Sequence, residues 1–368
     1  MKAATGLAQG RQPDAALAAR AVELAMDRAD LRHPTAVLLY LTSEFATDPQ
    51  PAISAAARAA GCLQVAGCTA AGVFTEEDWV LDAPAAAALV LGGGCGLHPT
   101  HGTAGETLTF AAPNALDMHW LTTGNPRFGG VSGDATGQGP YSVWSGARVQ
   151  SAGRTEMRIN GAHLRIGISQ GVRLLSKPAP IETVSGHDLH TLGGEPALTT
   201  LVRELPLSSR APARIPTHLL MAGLPFGELE GALEEGRYHL LPVVGVNPDD
   251  KSVTVAGSLT PGQSLFWALR HPQAAEQDME AMLHRLQGRA PDEAGEPDFA
   301  LMFPCIGRGP WFYGGQDRDI QALKRHFPGL PLLGFYGNGE IAHLDGANRL
   351  LQYSTVLVLG QGMEAADV

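Results

Sequence analysis

The chain has 368 residues, 44% of them hydrophobic and 17% charged, with a formal net charge of −11 and a mean hydropathy of −0.02. That balance excludes a largely disordered chain, and an acidic sum with no Lys/Arg run excludes nucleic acid and anionic membrane surfaces as partners. The length favours two domains, and 45 glycines with 26 prolines point to many turns and short strands.

The N-terminus, MKAATGLAQGRQPDAALAAR, has no apolar core of secretory length. A first helix is expected over residues 14–31, with Asp14 as its N-cap and Leu17, Leu24 and Leu31 on one face. AVLLYL at 36–41 reads as a strand buried on both faces. A polar loop at 42–50 and a small-residue helix at 51–60 follow. A short strand at 63–66 then leads into Gly67-Cys68-Thr69-Ala70-Ala71-Gly72. Residues 86–91 form another buried strand. The run APAAAALVLGGG around it is the longest apolar stretch and is far short of a membrane span.

From 119 to 172, SVWSGARV, TEMRING and HLRIGIS alternate with Gly-rich turns, which is the texture of an antiparallel meander. A strand, a turn at Gly193-Gly194 and a helix opening at Pro196 come next. SSRAPARIP at 208–216 is the expected linker, giving domains over 14–207 and 217–361. HLLMAGL, YHLLPVVGV and SVTVAG read as strands. The cleanest helix is Pro272–Gln287, where Ala275, Met279, Met282, Leu283 and Leu286 keep the helical period. Residues 299–341 then give an apolar strand ending in Cys305, a loop with Arg308, an amphipathic helix, and a strand opening into a glycine turn with Tyr336, Asn338 and Glu340. A last strand is expected at 351–359.

Laying 51–74 under 318–341 needs no gap: Gly67 falls on Gly334 and Gly72 on Gly339, and Ile53/Ile320, Ala55/Ala322, Arg58/Arg325 and Leu63/Leu330 coincide. The expected fold is therefore mixed α/β (α+β), two related α/β units with mixed sheets, each joined to an antiparallel β-meander. Residues peculiar to the second copy are the better functional candidates, since a requirement of the frame should appear in both. Glu340 has Val73 opposite it, Tyr336 has Thr69 and Cys305 has Leu41.

Strand ends are where α/β folds place their sites. Arg308 could grip a carboxylate or hold its own loop in a salt bridge. Glu340 could meet an ammonium group or cap backbone amides, and with Arg308 would complement a zwitterion. Cys305 is either a reactive thiol or a small buried hydrophobe. As a nucleophile it needs a base, for which His343 is the convenient candidate. No nucleophile-elbow, phosphate-loop or metalloprotease motif supports catalysis. Trp311-Phe312-Tyr313 reads as a lid or as core packing. The other cysteines, Cys62, Cys68 and Cys95, form no C-x-x-C with it. A Cys62–Cys68 disulfide is open, and free thiols in a cytoplasmic protein are the expectation. The 13 histidines show no metal-ligand rhythm; His98 and His101 are expected to be solvated.

The CIGRG strand end, PLLGFYGNGEI, and Tyr353-Ser354 in the strand after it resemble the C-terminal signature of the FIST family. GCTAAGVFTEED, RFGGVSGD and ISQGVRLLSKPAPIETVSGHDLHTLGGEPAL resemble its N-terminal segments. The sequence departs at Ala342-His343, where members usually read Gly-Pro, and at Val73-Phe74, where Glu-Ile is common. The resemblance implies a sensory domain of signalling proteins that binds a small, amino-acid-like molecule, and the residues peculiar to the second copy, Cys305, Arg308, Tyr336, Asn338 and Glu340, are the expected binding site. Output would pass to a separate protein such as a histidine kinase. It also implies a haem-binding, nitric-oxide-sensing alternative; a haem needs an axial histidine, for which His343 and His187 are the candidates in this sequence. A thiol-dependent enzyme using Cys305 is the other alternative.

Overall fold

A strand that is apolar on both sides requires cover on both faces, and Ala36–Thr42 receives it. Leu38 and Tyr40 point into one core with Phe110, Phe303 and Phe335. Val37, Leu39 and Leu41 point into another with Ala18, Ala21, Val22 and Ile53. The two-residue period lets one strand serve both cores.

The computed structural model describes residues 1–100, 105–288 and 295–363; His101 lies outside them. The chain divides into two compact units, one made of residues 1–168 with 280–368 and the other of 169–279. The stretch 208–216 thus lies within the second unit, so compact units and sequence halves do not coincide. Among the described residues no helix is long and apolar enough to cross a membrane.

The first unit carries three mixed six-stranded sheets. One runs Lys2–Gln9, Ala85–Gly92, Ala36–Thr42, Val65–Ala70, Val143–Ser145, Arg148–Val149. Another runs Ala162–Ser169, Thr355–Gly362, Phe299–Pro304, Leu332–Tyr336, Gly72–Thr75, Trp79–Leu81. The pairing senses recur. Ala36–Thr42 is parallel to Val65–Ala70 and antiparallel to Ala85–Gly92. Phe299–Pro304 is likewise parallel to Leu332–Tyr336 and antiparallel to Thr355–Gly362. Gly67 sits opposite Leu39 and Gly334 opposite Met302. A Cβ would stand 1.7 Å from the Leu39 carbonyl in the first case and 2.4 Å from the Met302 carbonyl in the second. The neighbouring backbone occupies the space a side chain would need, so only glycine fits.

The strand after each glycine turn leaves its own sheet. Gly72–Thr75 pairs antiparallel with Leu332–Tyr336, Gly72 opposite Tyr336. Glu340–Leu344 pairs with Arg127–Val131, Glu340 opposite Gly130, in the third sheet. That sheet also holds Ala347–Leu351, Thr107–Ala111, Arg154–Asn160 and Gly96–Pro99. Arg154–Asn160 and Ala162–Ser169, adjacent in sequence, join different sheets. Glu340 is therefore set in place by residues from both ends of the chain.

Helix Ala15–Ala29 begins where Asp14 predicts, its Oδ1 accepting from the Ala16 amide at 2.8 Å. It lies close on Lys2–Gln9, since a Cβ on Gly6 would be 2.1 Å from the Ala21 carbonyl. That first strand has little β-branched content to announce it; its pairing with Ala85–Gly92 over all eight residues holds it.

The second unit is an antiparallel eight-stranded sheet. Leu198 and Leu201 of helix Ala197–Glu204 share a core with Trp267, Val253 and Leu241. The Trp267 indole N–H finds Thr200 Oγ1 at 3.0 Å, satisfying the ring's polar edge. Helix Pro272–Gln287 forms with the bounds its periodicity gives. All four cysteines are free thiols.

Candidate functional site

Strand parity decides which side chains meet behind Leu332–Tyr336. Leu333 and Phe335 belong to the central core, so Tyr336 faces the other way. There helix Arg318–His326 starts at Asp317, whose Oδ1 caps the Ile320 amide at 2.9 Å. The Tyr336 hydroxyl donates to Asp317 Oδ2 at 2.6 Å.

Two residues on, Asp319 is 1% exposed and receives the equally buried Arg308. The guanidinium forks onto it, Nε to Oδ2 at 2.9 Å and Nη2 to Oδ1 at 3.1 Å. Tyr313 donates to Oδ1 at 2.8 Å and Thr355 to Oδ2 at 3.0 Å. Asp319 is thereby surrounded by donors, which offset the cost of burying its polar atoms. Burial, aided by neighbouring Asp319, raises Asp317 to about 7 against the downward pull of Tyr336 and Arg308.

Glu340 is fully buried. Its Oε2 accepts from the Ser354 amide at 3.1 Å and the Ser354 hydroxyl at 2.5 Å, and the Cys305 thiol also bonds the carboxyl. Oε1 has no hydrogen-bond partner. Burial lifts Glu340 to about 8, against the downward pull of Ser354 and of Arg308 nearby.

The structure therefore gathers Cys305, Arg308 and Glu340, and ties Tyr336 to them through Asp317 beside Asp319. Asn338 stands apart. It is half-buried against Gly133, whose missing side chain leaves 2.7 Å between a Cβ position and Asn338 Oδ1. Sequence reasoning missed Asp317, Asp319 and Thr355, and met Ser354 only as part of a motif without giving it a role. The available signal was the D-x-D at 317–319, two acids opening an amphipathic helix. Of the aromatic trio, Tyr313 is core and Trp311 is 67% exposed.

His343 is exposed, and its Nδ1 meets Asn348 Oδ1 at 3.1 Å. On its strand it alternates with Glu340, so the pairing with Cys305 that a thiol enzyme would need is not made. His187, in the other compact unit, is also exposed, with Nδ1 on the Gly257 carbonyl at 2.8 Å. Neither ring has the apolar enclosure that haem requires, so these residues do not fit that group. Cys305 is only 5% exposed. Iodoacetamide is expected to label it at least about tenfold more slowly than a free thiol in the native protein, and at the free rate once unfolded. Peptide mass spectrometry reads this directly, and fast native labelling would restore the enzyme reading.

The buried cluster reaches solvent at Asp317. It forms part of the wall of an open cavity of about 200 Å³ with Glu76, Glu77, Asp78, Trp79 and Lys324. Trp311 stands edge-on to Trp79, ring centres 6.2 Å apart.

Fold and site together define a mixed α/β protein with an arginine–carboxylate cluster behind an acidic cavity. Residues 197–343 match the model of the FIST C domain. It is 26% identical over 254 residues to an uncharacterized protein of Mycobacterium tuberculosis, covering 68% of this chain and 65% of that one. A Mycobacterium bovis protein, also uncharacterized, is 26% identical over 236 residues, 64% of this chain and 60% of its own. F-box only protein 22 of Homo sapiens is 33% identical over 96 residues, 26% of this chain and 22% of that protein. The chain thus spans less than two thirds of the length of the curated relatives it matches.

Proposed function

We propose that this protein is a cytoplasmic small-ligand sensor of the FIST type, that its ligand is a small amine or amino-acid-like cation, and that the signal passes to a separate signalling protein. The observation that carries the reading is Asp317, 4% exposed yet part of the wall of an acidic cavity. Glu77 there meets Arg28 at 2.8 Å and Glu76 accepts from Thr5 and the Leu332 amide, so Asp78 and the Trp79 ring are the groups that suit an ammonium beside Asp317, the acid by charge and the indole through its π face. A volume of about 200 Å³ fits a molecule of amino-acid size.

The ligand's own carboxylate is a smaller part of the recognition than a zwitterion clamp would make it. Asp319 already occupies the fork of Arg308. Arg308 and Tyr336 act as the frame that holds the two aspartates, and Cys305 and Glu340 as the layer behind them. A cation beside Asp317, which burial holds at about 7, favours its ionised form, so binding near neutral pH releases a proton into the solvent.

Calorimetry with the standard amino acids, their amides and simple alkylamines tests this. The expected result is binding of at least one amine at pH 7, with a heat that varies with the ionisation enthalpy of the buffer, and a loss of about tenfold or more in affinity for Asp317→Asn. A folded protein that binds none of the panel overturns the proposal.

A further inference from the structure

Helix Pro272–Gln287 places Glu280 and His284 four residues apart, hence on one face. Helix Arg318–His326 ends against that face with His326. One ligand-type atom from each of Glu280, His284 and His326 lies within 4.8 Å of the other two. From this cluster we infer that the protein has a divalent transition-metal site of two imidazoles and one carboxylate, of the class that takes Zn²⁺ or Co²⁺.

The surroundings match what such a site requires. The imidazoles of His284 and His326 stand nearly perpendicular, with centres 4.7 Å apart, so they converge without stacking face to face. His326 Nδ1 meets Gln287 Oε1 at 2.9 Å, and the Gln287 amide nitrogen donates to the His326 carbonyl at 3.2 Å. The amide oxygen can only accept, so Nδ1 carries the proton and Nε2 is turned to Glu280, whose Oε2 is 2.6 Å away. A metal-bound histidine is ordinarily oriented in this way, by a hydrogen bond from its second nitrogen to an outer acceptor. Arg325 occupies the other oxygen of Glu280, which leaves Oε2 as the single carboxylate ligand.

A metal ion here would sit where His326 Nε2 and Glu280 Oε2 now meet each other at 2.6 Å. Three protein ligands leave one tetrahedral position for water or a small anion. His326 and Gln287 also form part of the wall of an open cavity of about 450 Å³ that includes Arg165. The site shares no residue with the Asp317 cavity, so it stands or falls independently of the proposed ligand.

The test titrates the full-length, chelator-treated protein with Co²⁺ and follows the visible ligand-field bands, then displaces Co²⁺ with Zn²⁺ and measures stoichiometry by calorimetry. One ion per chain is expected, with intense bands of a tetrahedral site. Because His284 is exposed, His284→Ala keeps the fold and is expected to weaken binding at least about tenfold. His98→Ala, a substitution at another exposed histidine, is expected to change nothing. An unaltered Co²⁺ spectrum and affinity in His284→Ala, or the absence of binding to the folded wild-type protein, overturns the inference.

Discussion

Replacing Arg308 by alanine is expected to destabilise the protein by about 3–5 kcal/mol, measured as a shift in urea-unfolding midpoint at pH 7. The magnitude comes from what stays behind, not from what is removed. Asp319 keeps its Tyr313 and Thr355 donors but loses both guanidinium bonds at a site 1% exposed. Asp317 is close enough to Asp319 for that neighbour to add to the rise that burial gives it. A double variant, Arg308→Met with Asp319→Leu, removes the pair together and is expected to recover most of the loss, because apolar residues of similar volume replace buried ion pairs at little cost. A single-variant loss under about 1 kcal/mol would show that Arg308 does not hold these acids.

Glu340→Gln gives the second large effect, and its sign reverses the usual carboxylate pattern. Glu340 rises from an ordinary 4.5 to about 8 in the folded protein. The native state therefore keeps a proton that the unfolded chain releases, and native stability falls as pH climbs through that window, by up to about 1.4 kcal/mol per pH unit. Below pH 4.5 both states hold the proton and the penalty vanishes. Glutamine can still accept from Ser354 and cannot ionise. The variant is thus expected to be more stable than the wild type at pH 8, with the advantage shrinking towards pH 5. Asp317 contributes the same sign from 3.8 up to about 7, so the variant keeps a shallower decline. Melting temperatures measured from pH 5 to 9 would sink the argument if the two curves ran parallel.

Much of the frame was legible because it rests on local rules. Asp14 announces its cap, and the period of Met279, Met282, Leu283 and Leu286 gives the helix they line. The doubly apolar run at 36–41 gives a covered strand. The gathering of Cys305, Arg308 and Glu340 was legible as well, from strand ends and glycine turns. Asp317 and Asp319 were not, because acids in a first helical turn ordinarily read as solvated caps, and only the docking of that turn on Tyr336 and Arg308 buries them. His343 looked adjacent to Glu340 in sequence, but the strand's alternation turns the two apart. The Glu280–His284–His326 cluster escaped for a related reason. Its two helical members are four apart, but the third arrives from a different helix, and a count of histidines alone omits the glutamate.

The strand crossing at the two glycine turns bears on how such a protein can be inherited. Without Gly72–Thr75, the strand Leu332–Tyr336 would expose an apolar open edge. Without Arg127–Val131, the Glu340 strand would lose one of its two partners. The C-terminal region is therefore not a cassette that recombination can move by itself. Truncation, duplication or shuffling of either part breaks a sheet in the other, so the two can change only in concert.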